Sequence, residues 1–215
     1  MANFADSIEP VQDLGGAISF PIQYAPEEAG QVFVEGTPVM ILSTGVGAAD
    51  GGVAVWDGTS LARPGGIAGF AIQNANNLGT TGAGLPQPFS PVLGPGSVIG
   101  NYAANSNQAL AVITPPMVPF SDGSLGFYIA LPTTRFIGKL GTSATVTPSA
   151  TSFAQVGLIF GLTKDTGNNF WYVDINKTAG SAAVKIEALS PLEPVGTVGG
   201  HVIFTILPAV GQITA

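Results

Sequence analysis

A chain of 215 residues with 46% hydrophobic and only 9% charged residues is too apolar to be disordered and too poor in charge for an ordinary solvated surface. Its apolar surface must be hidden in a core or against a partner. Six scattered bases against thirteen acids argue against nucleic-acid binding, and the absence of cysteine excludes disulfides, thiol nucleophiles and cysteine-held metal clusters.

The charge is unevenly placed. Residues 1–62 carry eight acids and no Lys or Arg, whereas residues 63–215 carry five acids against six bases. The start, "MANFADSIEPVQDLGG", is acidic and lacks the basic-then-apolar order of a signal peptide. No uninterrupted apolar run reaches the 18 or so residues of a membrane span. The expectation is a protein made in the cytoplasm, or built into a particle assembled there, with no membrane partner.

In chain order, residues 1–20 place Phe4, Ile8 and Leu14 among acids, with Pro10 and Gly15-Gly16 breaking any helix. This segment reads as an extended arm that docks on a partner by strand addition or in a groove. Short β-branched runs bounded by breakers follow at Ala17–Tyr24, Gln31–Val34, Thr37–Ser43, Val53–Trp56, Gly66–Ile72, Val98–Tyr102 and Gln108–Thr114. Asp57-Gly58 after Val53–Trp56 reads as a hairpin turn, since both residues tolerate positive φ.

Residues 79–97 hold Pro86, Pro88, Pro91 and Pro95 and predict a projecting loop, because proline cannot donate to a ladder. A second breaker-rich tract, 115–126, together with Pro132-Thr133-Thr134, predicts a domain boundary near residue 131. Further strands are expected at Phe127–Ala130, Arg135–Leu140, Ala154–Leu162, Phe170–Ile175, Ala183–Leu189 and His201–Leu207. The fold class is therefore all-β: an arm over 1–20, a β domain over 21–130 and a small β-barrel over 131–215.

No motif for chemistry emerges. His201 is the only histidine and stands at a strand start, where a surface or half-buried residue is more usual than a base; no Gly-x-Ser-x-Gly elbow accompanies it. Gly138-Lys139 lacks the rest of a phosphate loop, and Gly45-Val46-Gly47 opens no helix. Glu27-Glu28 point oppositely in an extended chain, and Asp174-x-Asn176 lacks the other oxygens of a calcium site. The chain is expected to be no enzyme and to hold no metal or cofactor.

The stretch Phe170–Thr178 gathers Phe170, Trp171 and Tyr172, with Trp171 one of two tryptophans. Alternation puts Trp171, Val173 and Ile175 on one face, matched by Val184 and Ile186 of the next strand. These five residues are the expected barrel core. The other face, with Phe170, Tyr172 and Asp174, is the candidate for a host-surface or glycan-binding platform.

Two tracts carry a family resemblance. Gly36–Ala75, with a strand after Thr37-Pro38, the Trp56-Asp57-Gly58 turn and the Gly66-Ile67-Ala68-Gly69 strand, resembles head decoration (cement) proteins of tailed bacteriophages. Val156–Leu207 is similar to a module of phage virion proteins through Gly161-Leu162, Trp171–Asp174, the Pro191–Gly196 loop and the Val202–Leu207 strand. The resemblance implies a β-tulip-like or small β-sandwich N-terminal domain and homotrimers on the outer surface of a capsid. It implies the major capsid protein as partner and a structural role in stabilising the head by clamping neighbouring subunits.

Overall fold

The computed structural model of the protein describes residues 7–11, 20–26, 33–42, 53–61, 65–74, 124–142, 147–167 and 170–213. The loop expected at 79–97, the strands expected at Val98–Tyr102 and Gln108–Thr114, and the arm residues Phe4 and Leu14 lie outside them. The described chain is nearly all-β. Its helical content is two single 3₁₀ turns, Phe153–Gln155 and Ala179–Ser181. Among the described residues no helix is long and apolar enough to cross a membrane.

The first sheet is antiparallel, in the order β2 (Ile22–Pro26), β6 (Ser124–Ile129), β5 (Gly69–Ala71), β3 (Pro38–Ile41), β4 (Val53–Val55). Its side-chain alternation serves two cores at once. Val39, Val53, Ala71, Leu125 and Phe127 enter a cluster on one face. Met40, Phe70 and Tyr128, one residue out of phase, pack into a second cluster on the other. The registers Phe70↔Tyr128 and Ala71↔Phe127 keep each set together across neighbouring strands.

The second unit is a closed five-stranded barrel. β7 (Arg135–Thr142), β10 (Trp171–Asp174), β9 (Ile159–Lys164), β11 (Val184–Leu189) and β12 (His201–Ile206) pair in that order, and β12 returns to β7. Only β7 and β10 are parallel; closure leaves the ring without a free edge. β12 alternates half-buried and buried residues along its length, with Val202, Phe204 and Ile206 inward. β8 (Thr147–Pro148) continues the β7 ladder, and β1 (Glu9–Pro10) adds to β7 beside Phe136 and Ile137.

The first sheet's strands lie within 22–129 and the five of the barrel ring within 135–206, but their hydrophobic cores are not separate. One cluster holds Ile8, Trp56, Ile67 and Phe70 together with Phe136, Leu140, Trp171, Val184, Ile186 and Phe204. Phe70 sits 4.5 Å from the Phe136 ring centroid and 6.2 Å from that of Phe204. The chain ends lace the units further. β1 joins the barrel, while the segment after β12 returns to the first sheet, where Ile67 bridges Gly211. There the Gln212 amide clamps Ile41, donating to its carbonyl at 2.5 Å and accepting from its N–H at 2.7 Å.

Two local expectations change. Ile8, assigned to a docking arm, is 1% exposed and packs in the chain's own core. Burying its side chain against Gly138 and the barrel satisfies it without a partner. Asp57-Gly58 is no hairpin turn, because β4 pairs with the preceding β3. It is an Asx turn: the Asp57 carboxylate accepts from the Thr59 and Ser60 N–H groups at 2.8 and 2.7 Å and from the Ser60 hydroxyl at 2.6 Å. Burial alone would raise the Asp57 pKa, but these bonds outweigh it and lower it. Gly58 takes φ +79°, and the turn lets Trp56 donate its indole N–H to the Ser60 carbonyl at 2.9 Å.

Candidate functional site

Of the expected core residues, Trp171, Val173, Val184 and Ile186 are buried in the shared cluster, and Ile175 packs half-buried against it. Trp171 meets Trp56 with ring centroids 5.6 Å apart, so the two tryptophans mark the seam between barrel and sheet. The other face of the stretch is no platform. Tyr172 is fully buried and Phe170 is 7% exposed, because β10 lies between β9 and β7 with both of its faces covered. Asp174 on that face is bound internally, accepting from the Thr163 hydroxyl at 2.8 Å and the Asn176 N–H at 2.9 Å.

The Tyr172 hydroxyl has no well-formed hydrogen bond among the described residues. Burial first, then the Asp174 and Asp165 carboxylates, push its pKa well above the ordinary phenol value against a smaller opposite pull from Thr163. A neutral, unsatisfied buried hydroxyl is a cost. Tyr172→Phe is therefore expected to leave stability within about 1 kcal/mol of the parent or to raise it. Urea titration followed by tryptophan emission checks this, and a loss above about 2 kcal/mol would mean that the hydroxyl has a partner.

The surface with unusual chemistry lies at one end of the barrel, where two segments run side by side. After β11 the chain passes through 190–200, rich in Pro and Gly, and re-enters the barrel at His201. This segment hydrogen-bonds to the stretch after β8. Thr151 N–H donates to the Thr197 carbonyl at 3.1 Å, Gly196 N–H to the Thr151 carbonyl at 2.8 Å, and Gly199 N–H to the Ser149 carbonyl at 2.9 Å. The 149–159 segment is itself fixed by a capping box: Ser152 Oγ accepts from Ala154 N–H, and Gln155 Oε1 accepts from Ser152 N–H. Its far end runs along β11, where Ile186 N–H donates to the Leu158 carbonyl at 3.0 Å.

Glu193 holds the longer loop from beneath. Its carboxylate accepts the His201 main-chain N–H at 2.6 Å and lies 2.8 Å from His201 Nδ1. Gly200 makes room for this: a Cβ there would stand 2.9 Å from Thr151 and 3.0 Å from Glu193 Oε2. Burial by itself would push the Glu193 carboxyl up. The His201 hydrogen bonds, with the charges of His201 and Lys139, overcome that and hold it below the ordinary carboxylate range. One carboxylate oxygen meets the backbone N–H of His201 and the other its ring, so the pair is built as a latch.

A depressed carboxyl pKa contributes stability that is present above its unfolded value and lost as pH falls through the folded one. Glu193→Gln is thus expected to cost about 1–2 kcal/mol at pH 7. The gap between variant and parent should narrow as pH falls below the ordinary carboxylate range and through the lowered folded value, where the parent carboxylate is protonated too. Urea midpoints measured from pH 7 to pH 3 test this; a gap as wide at pH 3 as at pH 7 would assign the loss to packing instead.

Above the latch the side chains are apolar and exposed: Leu192 88%, Phe153 71%, Val198 69%, Leu158 52% and Val195 51%. Residues 149–159 carry no charge, and 190–199 carry only Glu193, whose side chain is 10% exposed. Sequence reading placed a strand across Ala154–Leu162, but β9 starts at Ile159, and the apolar residues before it face solvent. The missed signal was a pair of tracts with large apolar side chains and almost no charge: 149–159, with none, and the breaker-rich 190–199, with Glu193 alone. Among the described residues, no three His, Asp or Glu side chains come together as metal ligands. Comparison with known protein families, curated proteins and solved structures gave no match.

Proposed function

We propose that this chain is a structural decoration protein of a tailed-phage head, acting by binding alone. In this reading it coats the outer capsid surface, contacts the major capsid protein, and works as a homotrimer that clamps neighbouring capsid subunits. The observation that carries an assembly role is the apolar end of the barrel, where five large side chains are 51–88% exposed. Such surfaces mark protein contacts. The sequence patterns of Gly36–Ala75 and Val156–Leu207 favour a phage head as the assembly.

The physical route is mass action: a protein that binds only the closed shell adds its binding free energy to that shell's stability. Contacts repeated within a closed ring raise effective concentration, so weak single contacts suffice. The acidic balance suits the outside of a DNA-filled particle better than its interior. With Ile8 committed to the chain's own core, the arm's remaining candidates for shell contact are Phe4 and Leu14.

Co-sedimentation of the purified protein with emptied heads of the phage that encodes it tests the reading. Saturable retention at a fixed number of copies per head, with delayed heat-induced rupture, is expected. Heads that sediment without it would refute the proposal.

A further inference from the structure

We infer that the loop end of the barrel, carried by Phe153, Leu158, Leu192, Val195 and Val198, is the surface by which copies of this chain bind one another. The inference deepens the reading above by placing the copy-to-copy contact of the proposed trimer; self-association itself requires no head.

The area is of the right size. Five large apolar side chains, each 51–88% exposed, present on the order of several hundred Å². That is within the range of a monomer's largest patch. With the polar rim supplied by Thr197, Gln155 and neighbouring backbone, it approaches the ~800 Å² that each partner contributes to a stable interface.

The patch is also preorganised. The 149–159 and 190–200 segments are tied to each other and to β11 by main-chain hydrogen bonds, and Glu193 pins the longer loop to His201. Little backbone order is left to be lost on binding, and short Leu and Val side chains give up little rotamer entropy.

Charge selects a second copy as the occupant. The chain is net −7, and eight of its thirteen acids lie in residues 1–62. Two identical chains repel each other where those acids meet, and a neutral surface carries no such penalty. The barrel end is neutral, since its one carboxylate is turned inward to His201. A glycan or nucleic acid would instead need several exposed rings, donors or cations; these five side chains offer a single ring, Phe153, and no donor or cation.

The test is the mass of the full-length protein in solution, by sedimentation equilibrium from about 1 to 100 μM, a range that brackets micromolar association. A multiple of 21.6 kDa is expected for the parent. Leu192→Asp and Phe153→Asp should each weaken association by at least about 100-fold, as charge in the centre of an apolar contact does. Both side chains project into solvent, so the fold should survive; an unchanged melting point and unchanged Trp56–Trp171 emission check this. Ile22→Asp, at an exposed position on β2 of the other sheet, should leave the mass unaltered.

A parent that stays at 21.6 kDa throughout, or an oligomer that survives both loop variants, would overturn the inference. The head-binding experiment is scored separately. Assembly lost in the loop variants, with no head retention by the parent, would sink the decoration reading and leave this one standing.

Discussion

Replacing Phe70 by Ala is expected to cost about 4 kcal/mol and to lower the melting point by about 10 °C. Phe70 is fully buried and projects from the central strand of the first sheet into the ring cluster with Phe136 and Phe204 of the barrel. Large-to-small replacement there removes transfer free energy, leaves a cavity, and forfeits aromatic pair contacts. Because sheet and barrel bury one continuous cluster, the loss should appear in a single transition. Far-ultraviolet circular dichroism and tryptophan emission should move together in both parent and variant. Separation into two transitions, with the barrel melting at the parental temperature, would show that the shared core does not couple the units.

A loss of about 3–5 kcal/mol is expected for Trp171→Ala, with a spectroscopic signature of its own. Trp171 is 5% exposed and lies across the seam from Trp56, while its ring edge covers the Asp57-Gly58 turn at 3.4 Å from the position of a Gly58 Cβ. Removing the indole opens the seam beside Trp56. The remaining tryptophan emission should therefore shift to the red in the folded state. An emission maximum and urea midpoint both equal to the parent's would place Trp171 outside the seam.

Strand positions were legible because buried strands carry a period of two and breakers punctuate them. Pro38–Ile41, Val53–Val55, Arg135–Thr142, Val184–Leu189 and His201–Ile206 all fall within or near the expected segments. The pairing was not legible. Nothing local in Ile41 announces that its backbone will be held by Gln212, 171 positions later, and nothing in Glu9–Pro10 announces β7. Nor does local pattern tell an apolar residue that faces a core from one that faces a partner. Phe160 and Leu158 satisfy the same hydrophobic pattern, yet Phe160 is 5% exposed and Leu158 is 52% exposed.

That last distinction also explains how the candidate surface escaped the sequence reading. A search for chemistry looks for reactive or charged groups in register, and the barrel end has none pointing outward. Its information is negative: two short stretches with large apolar residues in which Glu193 is the only charge. Only the backbone bonds between 149–151 and 196–199 bring the two stretches side by side.

The lacing of the chain ends has a consequence for synthesis. A nascent chain leaves the ribosome at about 5–20 residues per second, and domains ordinarily fold from the N-terminus as they emerge. Here Ile8 lacks the β7 that shelters it until more than a hundred further residues have been made, and the first sheet lacks its Gln212 clamp until 171 positions after Ile41. Completion of the first sheet thus waits on the barrel, and a chain stalled before β7 would leave Ile8 uncovered, a ready substrate for holding chaperones and proteases.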